Sequence, residues 1–123
     1  MQHSPGFLAL VDDALSRVRE ISVPEVLAKR AAHEPLTLVD VREDREWQAA
    51  HVQDAVHMGR GVIERDIEQA VPDKNAPLVL YCGGGFRSAL AADNLQRMGY
   101  TNVLSLAGGW RAWQAAGAPI VQG

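Results

Sequence analysis

The sequence predicts an α/β domain whose parallel sheet is covered on both faces, and three observations carry that reading. Apolar runs at Leu36 to Val41, Pro77 to Tyr81 and Val103 to Leu106 read as buried strands. Segments with helical spacing of apolar residues separate them, and strict alternation of strand and helix is the signature of a parallel sheet. The 123 residues, 47% hydrophobic and 22% charged, suit one compact core.

Taken in order, Phe7, Val11, Ala14, Val18 and Ile21 recur every three or four residues and predict an amphipathic helix. It is read as an extension over residues 1–20, ahead of a single domain over 21–123. Its apolar side packs on the domain's own core or serves a dimer, so the chain is expected to be a monomer or a weak homodimer. Ser22 and Glu25 form a capping-box pair, with Pro24 in the first turn, and start a helix running to about Ala32. The strand from Leu36 leaves through the charged stretch Arg42 to Glu46. A helix over Asp44 to Ala50, a short strand over Ala55 to Met58, and a helix carrying Ile63, Ile67 and Val71 follow, the last stopped by Pro72. The strand ending at Tyr81 runs into Cys82-Gly83-Gly84-Gly85-Phe86-Arg87-Ser88. From Arg87 the pattern is helical, with Ala91, Leu95 and Met98 on one side and Gly99 as a left-handed cap. Val103 to Leu106 is the next strand, and Gly109 to Ala116 the last helix, closed by Gly117.

Composition excludes several functions. Twelve Lys and Arg against fifteen Asp and Glu give a net charge of −3, with no basic patch for nucleic acid or an anionic membrane. No apolar run reaches the roughly 18 residues of a membrane span. The single cysteine allows no internal disulfide, and a cytoplasmic, reducing setting is expected. His51 and His57 with one cysteine compose no metal set, so no metal or cofactor is expected.

In open α/β sheets ligands bind beyond the carboxyl ends of the strands, which places Asp40, Cys82 and the Ala107-Gly108-Gly109-Trp110 turn on one edge. Three glycines between a strand and a helix remove the β-carbons that keep successive N–H groups apart, and so predict an anion cradle. The same helix start faces Cys82. A free thiol has a pKa of about 8.5, and thiols at helix N-termini fall well below it, so Cys82 is expected to ionise readily. Arg87 adds a planar fork of donors suited to an oxyanion. The plain alternative is an ordinary turn and a small buried cysteine, but packing alone gives no reason for three glycines and an arginine at that place. A dinucleotide loop would need glycine where Ser88 stands, and a Walker loop a lysine after glycine; neither is present.

Four blocks in order resemble the rhodanese family of sulfurtransferases over about Ile21 to Ile120. They are Leu38-Val39-Asp40-Val41-Arg42-Glu43 with Trp47 behind, Ala50-His51-Val52, Tyr81 to Ser88, and Leu106-Ala107-Gly108-Gly109-Trp110-Arg111-Ala112-Trp113. The resemblance implies a three-layer α/β/α fold with a five-stranded parallel sheet. It implies that Cys82 cycles between thiolate and persulfide, while N–H groups of Gly83, Gly84, Gly85, Phe86, Arg87 and Ser88 hold the transferred sulfur. The expected substrates are a small sulfur donor, thiosulfate or a persulfide, and cyanide, a thiol or a protein thiol as acceptor. Four residues separate Cys82 from Arg87, whereas the related phosphatases use five, so sulfur transfer is favoured over phosphate hydrolysis. The rival from another class is a non-catalytic module that binds an anion or protein in the same cradle. Where many members read Gly-His-Ile-Pro-Gly-Ala, this chain has Ala50-His51-Val52-Gln53-Asp54-Ala55, which alters the turn. Members that favour thiosulfate often carry a basic residue after the cysteine; Gly83 stands there, so a persulfide is the expected donor.

Asp40 and Arg42 match the family's strand-end pair and are expected to brace the loop by hydrogen bonds, the alternative being a solvent-facing pair. The histidines are read as structural and Trp47, Trp110 and Trp113 as core or pocket wall. Phe86 either shields the sulfur or faces a partner. Arg60, between two glycines, is a candidate to reach the pocket.

Overall fold

A computed structural model describes residues 3–123. Residues 1 and 2 of the expected extension lie outside the described residues. The elements in chain order are α1 (Pro5–Leu15), β1 (Glu20–Ile21), α2 (Val23–Ala31), β2 (Thr37–Asp40), α3 (Asp44–Ala49), β3 (Ala50–Val52), β4 (Val56–His57), α4 (Ile63–Ala70), β5 (Leu78–Tyr81), α5 (Phe86–Arg97), β6 (Val103–Leu106), α6 (Gly109–Ala115) and β7 (Ile120–Gln122). Five strands pair in the order β1-β6-β5-β2-β4, every neighbour parallel. The expected fold class is therefore the observed one.

The sheet's pleat sorts the core into two layers. On β5, Leu78 and Leu80 point to the face covered by Ile63 and Ile67 of α4 and by Ala91 and Leu95 of α5. Val79 and Tyr81 point the other way, to Val23 and Val26 of α2, Val52 and the buried Trp113 of α6. All four β5 residues are buried, which is why this central strand reads as an unbroken apolar run. Register brings Asp40 level with Tyr81, and Leu80 level with Ser105, so the three central strands end together.

Two readings change. The predicted first helix stops at Leu15, where the Ser16 hydroxyl donates to the Asp13 carbonyl at 2.6 Å, and Ile21 enters the sheet as β1 beside β6. Its helical spacing is real but spans two elements, because Val18 and Ile21 face opposite core layers. The small antiparallel pair of β3 and β7 is absent from the sequence reading; Ala50 to Val52 pair with Ile120 to Gln122, far apart in the chain. The Ser22–Glu25 capping box forms as expected, each side chain satisfying the other's backbone N–H.

Val11 and Ala14 of α1 are buried within the chain, the helix lying against α5, while Leu8 and Leu10 are exposed. Among the described residues no helix is long and apolar enough to cross a membrane. Arg17 clamps the helix end, donating to both oxygens of Asp93 on α5 at 3.0 and 2.9 Å and to Asp13 at 2.8 Å. Arg17 holds the Asp93 carboxyl below the usual carboxylate range by hydrogen bonding. A lowered native pKa stabilises the fold above the unfolded value and that contribution fades as pH falls through the native one. Amide exchange over residues 5–15 should accelerate in Arg17→Ala at neutral pH while β5 and β6 stay protected. Wild type and variant should converge in acid, once Asp93 is protonated in both states.

Candidate functional site

The end of β5 delivers Cys82 with 1% of its surface exposed, at the floor of a pocket of about 710 Å³. The loop then turns back on the sulfur. Gly85 takes the left-handed conformation at φ 101°, open to glycine without strain, and its N–H donates to Cys82 Sγ at 3.2 Å. The Ser88 N–H donates at 3.4 Å, and its hydroxyl lies 3.5 Å from the sulfur and 2.8 Å from the Ser105 hydroxyl. These donors favour negative charge on sulfur. Of the cradle residues singled out from sequence, Gly85 and Ser88 bond the sulfur directly. Gly83 and Gly84 line the open pocket, and the N–H groups of Gly83, Gly84, Phe86 and Arg87 have no protein acceptor among the described residues.

A second glycine turn locks the first. Gly108 and Gly109 both have positive φ, and the N–H groups that follow reach across: Trp110 donates to the Cys82 carbonyl at 2.7 Å and Arg111 to that of Gly83 at 3.1 Å. A β-carbon on Gly109 would overlap the Cys82 carbonyl oxygen and stand 3.0 Å from the Gly83 carbonyl carbon. On Gly85 it would press the Gly108 nitrogen and Leu106 oxygen at 3.4 Å. Gly109 is required by this close approach of backbone to backbone, and Gly85 by its left-handed φ.

Asp40 and Arg42 are fully buried and form a two-pronged ion pair, with Arg42 Nη2 2.7 Å from Asp40 Oδ2. Burial works against the charge on Arg42, yet its bonds to Asp40 outweigh that and lift its pKa above the ordinary value. The expected hydrogen bonds to the Cys82 loop are not formed. Arg42 donates instead to the Ala50 carbonyl at 2.7 Å, and its guanidinium lies 4.5 Å over the Trp110 ring. The brace is thus indirect, through the tryptophan whose N–H holds Cys82, and the solvent-facing alternative is excluded.

Arg87 folds back beside Gly83, with Nη2 3.4 Å from the place of a β-carbon there, and donates to Glu46 Oε1 at 3.2 Å. Burial disfavours its charge, but Glu46 and then the Cys82 sulfur more than compensate, and its pKa is raised. Glu46 also accepts the Glu43 N–H at 3.0 Å. Its carboxyl is pushed up by burial, but the bonds from Arg87 and Glu43 prevail and hold it below the usual range.

Sequence reasoning missed Glu46, Arg111 and the N-terminal wall of His3, Ser4 and Phe7, which come from three separate elements. Phe86 packs edge-on against His3 and Phe7, ring centres 4.9 and 6.1 Å away, so it joins that wall. Arg60 does not line the pocket; its N–H bonds the Val41 carbonyl. His51 and His57 stack on Trp47 and donate to the carbonyls of Trp47 and Arg42. Among the described residues no His, Cys, Asp and Glu group is arranged to hold a metal.

Comparison with known proteins bears on this arrangement. The model of the rhodanese-like domain matches residues 23–116. Thiosulfate sulfurtransferase PspE of Escherichia coli is 39% identical over 70 residues, 57% of this chain and 67% of the relative. The putative sulfur carrier protein YrkF of Bacillus subtilis is 31% identical over 98 residues, 80% of this chain but 52% of that protein, so the chain spans about half its length. Of solved structures, a Rhodopseudomonas palustris protein of unknown function, described as a possible tyrosine phosphatase, superposes with a TM-score of 0.82 at 29% identity, covering 98% of each chain. A Pseudomonas aeruginosa thiosulfate sulfurtransferase superposes at 0.79 and 28% identity, over 85% of this chain and 20% of that one.

Gly109→Ala should cost on the order of 3 kcal/mol in urea unfolding, from positive φ plus overlap. Gly117→Ala, at φ 67° with nothing within 4 Å, serves as the comparison and should cost only about 1 kcal/mol. For Glu46, whose native pKa is lowered, the Arg87 clasp is complete above the unfolded carboxylate value and lost as pH falls through the native one. The protection factors of the Gly85 and Ser88 amides, each taken against intrinsic exchange at the same pH, should therefore fall in acid in wild type, and already at neutral pH in Glu46→Gln.

Proposed function

The chain belongs to the rhodanese-like domain family, and on that footing we propose that it is a sulfurtransferase acting through a persulfide on Cys82. The observation that carries this reading is the sulfur at the pocket floor, held by the Gly85 and Ser88 N–H groups one four-residue loop away from Arg87.

The Cys82 thiolate attacks the outer sulfur of thiosulfate or of a persulfide donor. A sulfur–sulfur bond forms at Cys82, and the donor's own breaks, its electron pair leaving with sulfite or with a thiolate. The new outer sulfur carries negative charge into a loop whose remaining N–H groups, on Gly83, Gly84, Phe86 and Arg87, are free to receive it. Cyanide or an acceptor thiolate then takes that sulfur, giving thiocyanate or a new persulfide and restoring Cys82. The chain holds one cysteine, so no second thiol in it can resolve the intermediate, and the two half-reactions follow a ping-pong order.

Glu46 fixes Arg87 over the loop while Asp40 and Arg42 steady the floor through Trp110; these are positioning roles. The names of the relatives speak for thiosulfate as a donor. Against a phosphatase reading stands the four-residue loop, one short of the span the resemblance assigns to phosphate.

Intact mass after incubation with thiosulfate, and separately with glutathione persulfide, should show one added sulfur in wild type and none in Cys82→Ser. Cyanide should remove it as thiocyanate. A protein that no donor loads overturns the reading in favour of a binding module, and a phosphate burst from an aryl phosphate overturns it in favour of hydrolysis.

A further inference from the structure

Three guanidinium groups stand around the mouth of the Cys82 pocket, on Arg45, Arg87 and Arg111, against two carboxylates, Glu43 and Glu46. In a chain of net charge −3 this is a local excess of one positive charge, and a concave site with such an excess draws anions. The three arginines are not equivalent. Arg87 is engaged with Glu46 at 3.2 Å. Arg45 lies on the exposed first turn of α3. Arg111 is anchored at the loop itself, because its own peptide N–H bonds the Gly83 carbonyl at 3.1 Å. Its side chain runs along the turn, with Nη1 3.9 Å from the place of a β-carbon on Gly84. No carboxylate among the described residues pairs with it. Gly83 and Gly84 carry no side chains, so neither puts one between that fork of donors and the pocket over Cys82.

We propose that Arg111 is the second anion contact of this pocket and selects sulfur donors that carry negative charge beyond the transferable sulfur. The inference rests on Cys82 being the sulfur acceptor. With thiosulfate, the thiolate and the dianion become a charged persulfide and the sulfite dianion, with no proton, oxidant or reductant needed. Charge gathers on the sulfite oxygens as the sulfur–sulfur bond breaks, so a guanidinium there both binds the donor and eases departure. The basic side chain missing at position 83 is thereby supplied from α6, and thiosulfate is a competent donor despite the bare glycine.

The test separates this from sulfur transfer. Cys82 is alkylated with iodoacetate, an anion, and with iodoacetamide, its neutral counterpart, in wild type, Arg111→Ala, Arg111→Lys and Arg111→Glu. The iodoacetate-to-iodoacetamide rate ratio should fall about fivefold in Arg111→Ala, the effect of one partly screened charge, further in Arg111→Glu, and little in Arg111→Lys. Arg97→Ala removes the same charge from the far end of α5 and should leave the ratio unchanged. In turnover, Arg111→Ala should raise KM for thiosulfate by a similar factor and leave KM for cysteamine persulfide, whose far end is cationic, unaltered. A ratio unmoved by Arg111→Glu, or moved equally by Arg97→Ala, overturns the proposal. A falling ratio in a protein that no donor loads keeps Arg111 as the anion contact and overturns sulfur transfer alone.

Discussion

The molecule depends on the docking of two glycine turns, the one after β5 and the one between β6 and α6. Their backbones meet with no side chain between them, and the Cys82 carbonyl accepts the Trp110 N–H at 2.7 Å. A carbonyl directed at the neighbouring turn leaves the cysteine side chain free to face the pocket, while Gly85 and Ser88 close on its sulfur from the other side. The sheet makes this possible. Parallel neighbours in matched register end at the same level, so the loops that follow β2, β5 and β6 must share one edge.

Around that contact the charged groups form a supporting frame. The Asp40–Arg42 pair is buried where only mutual bonding makes charge tolerable, and Arg42 turns a further Nη2 donor to the Ala50 carbonyl and its flat face to Trp110. The Glu46–Arg87 pair, half-buried, stands at the pocket wall. The cations at the cavity are thus divided: Arg87 is oriented by a carboxylate, whereas among the described residues neither Arg45 nor Arg111 pairs with one, and Arg111 is anchored at the loop by its backbone. This division fits the proposed reaction, in which one anion enters and another leaves.

The N-terminal helix contributes more than packing. Val11 and Ala14 seat it on α5, the helix that begins at the cradle, and that seating carries His3 and Phe7 to the rings' contact with Phe86. A segment ahead of the 23–116 family match therefore forms one wall of the pocket.

By itself the sequence determined the fold class, the central strands, the capping box at Ser22 and the loop from Cys82 to Ser88, because each is written in contiguous residues whose local physics points one way. It misjudged the span from Val18 to Ile21, where helical spacing coincided with a strand edge, and it contained no sign of the β3–β7 pair. Only the tertiary structure decided where Arg42 spends its hydrogen bonds, that Phe86 meets the N-terminal wall, and that Glu46 and Arg111 flank the cysteine. Those side chains come from elements distant in the chain, and what brings them together is sheet register and the approach of two backbones, which no local pattern encodes.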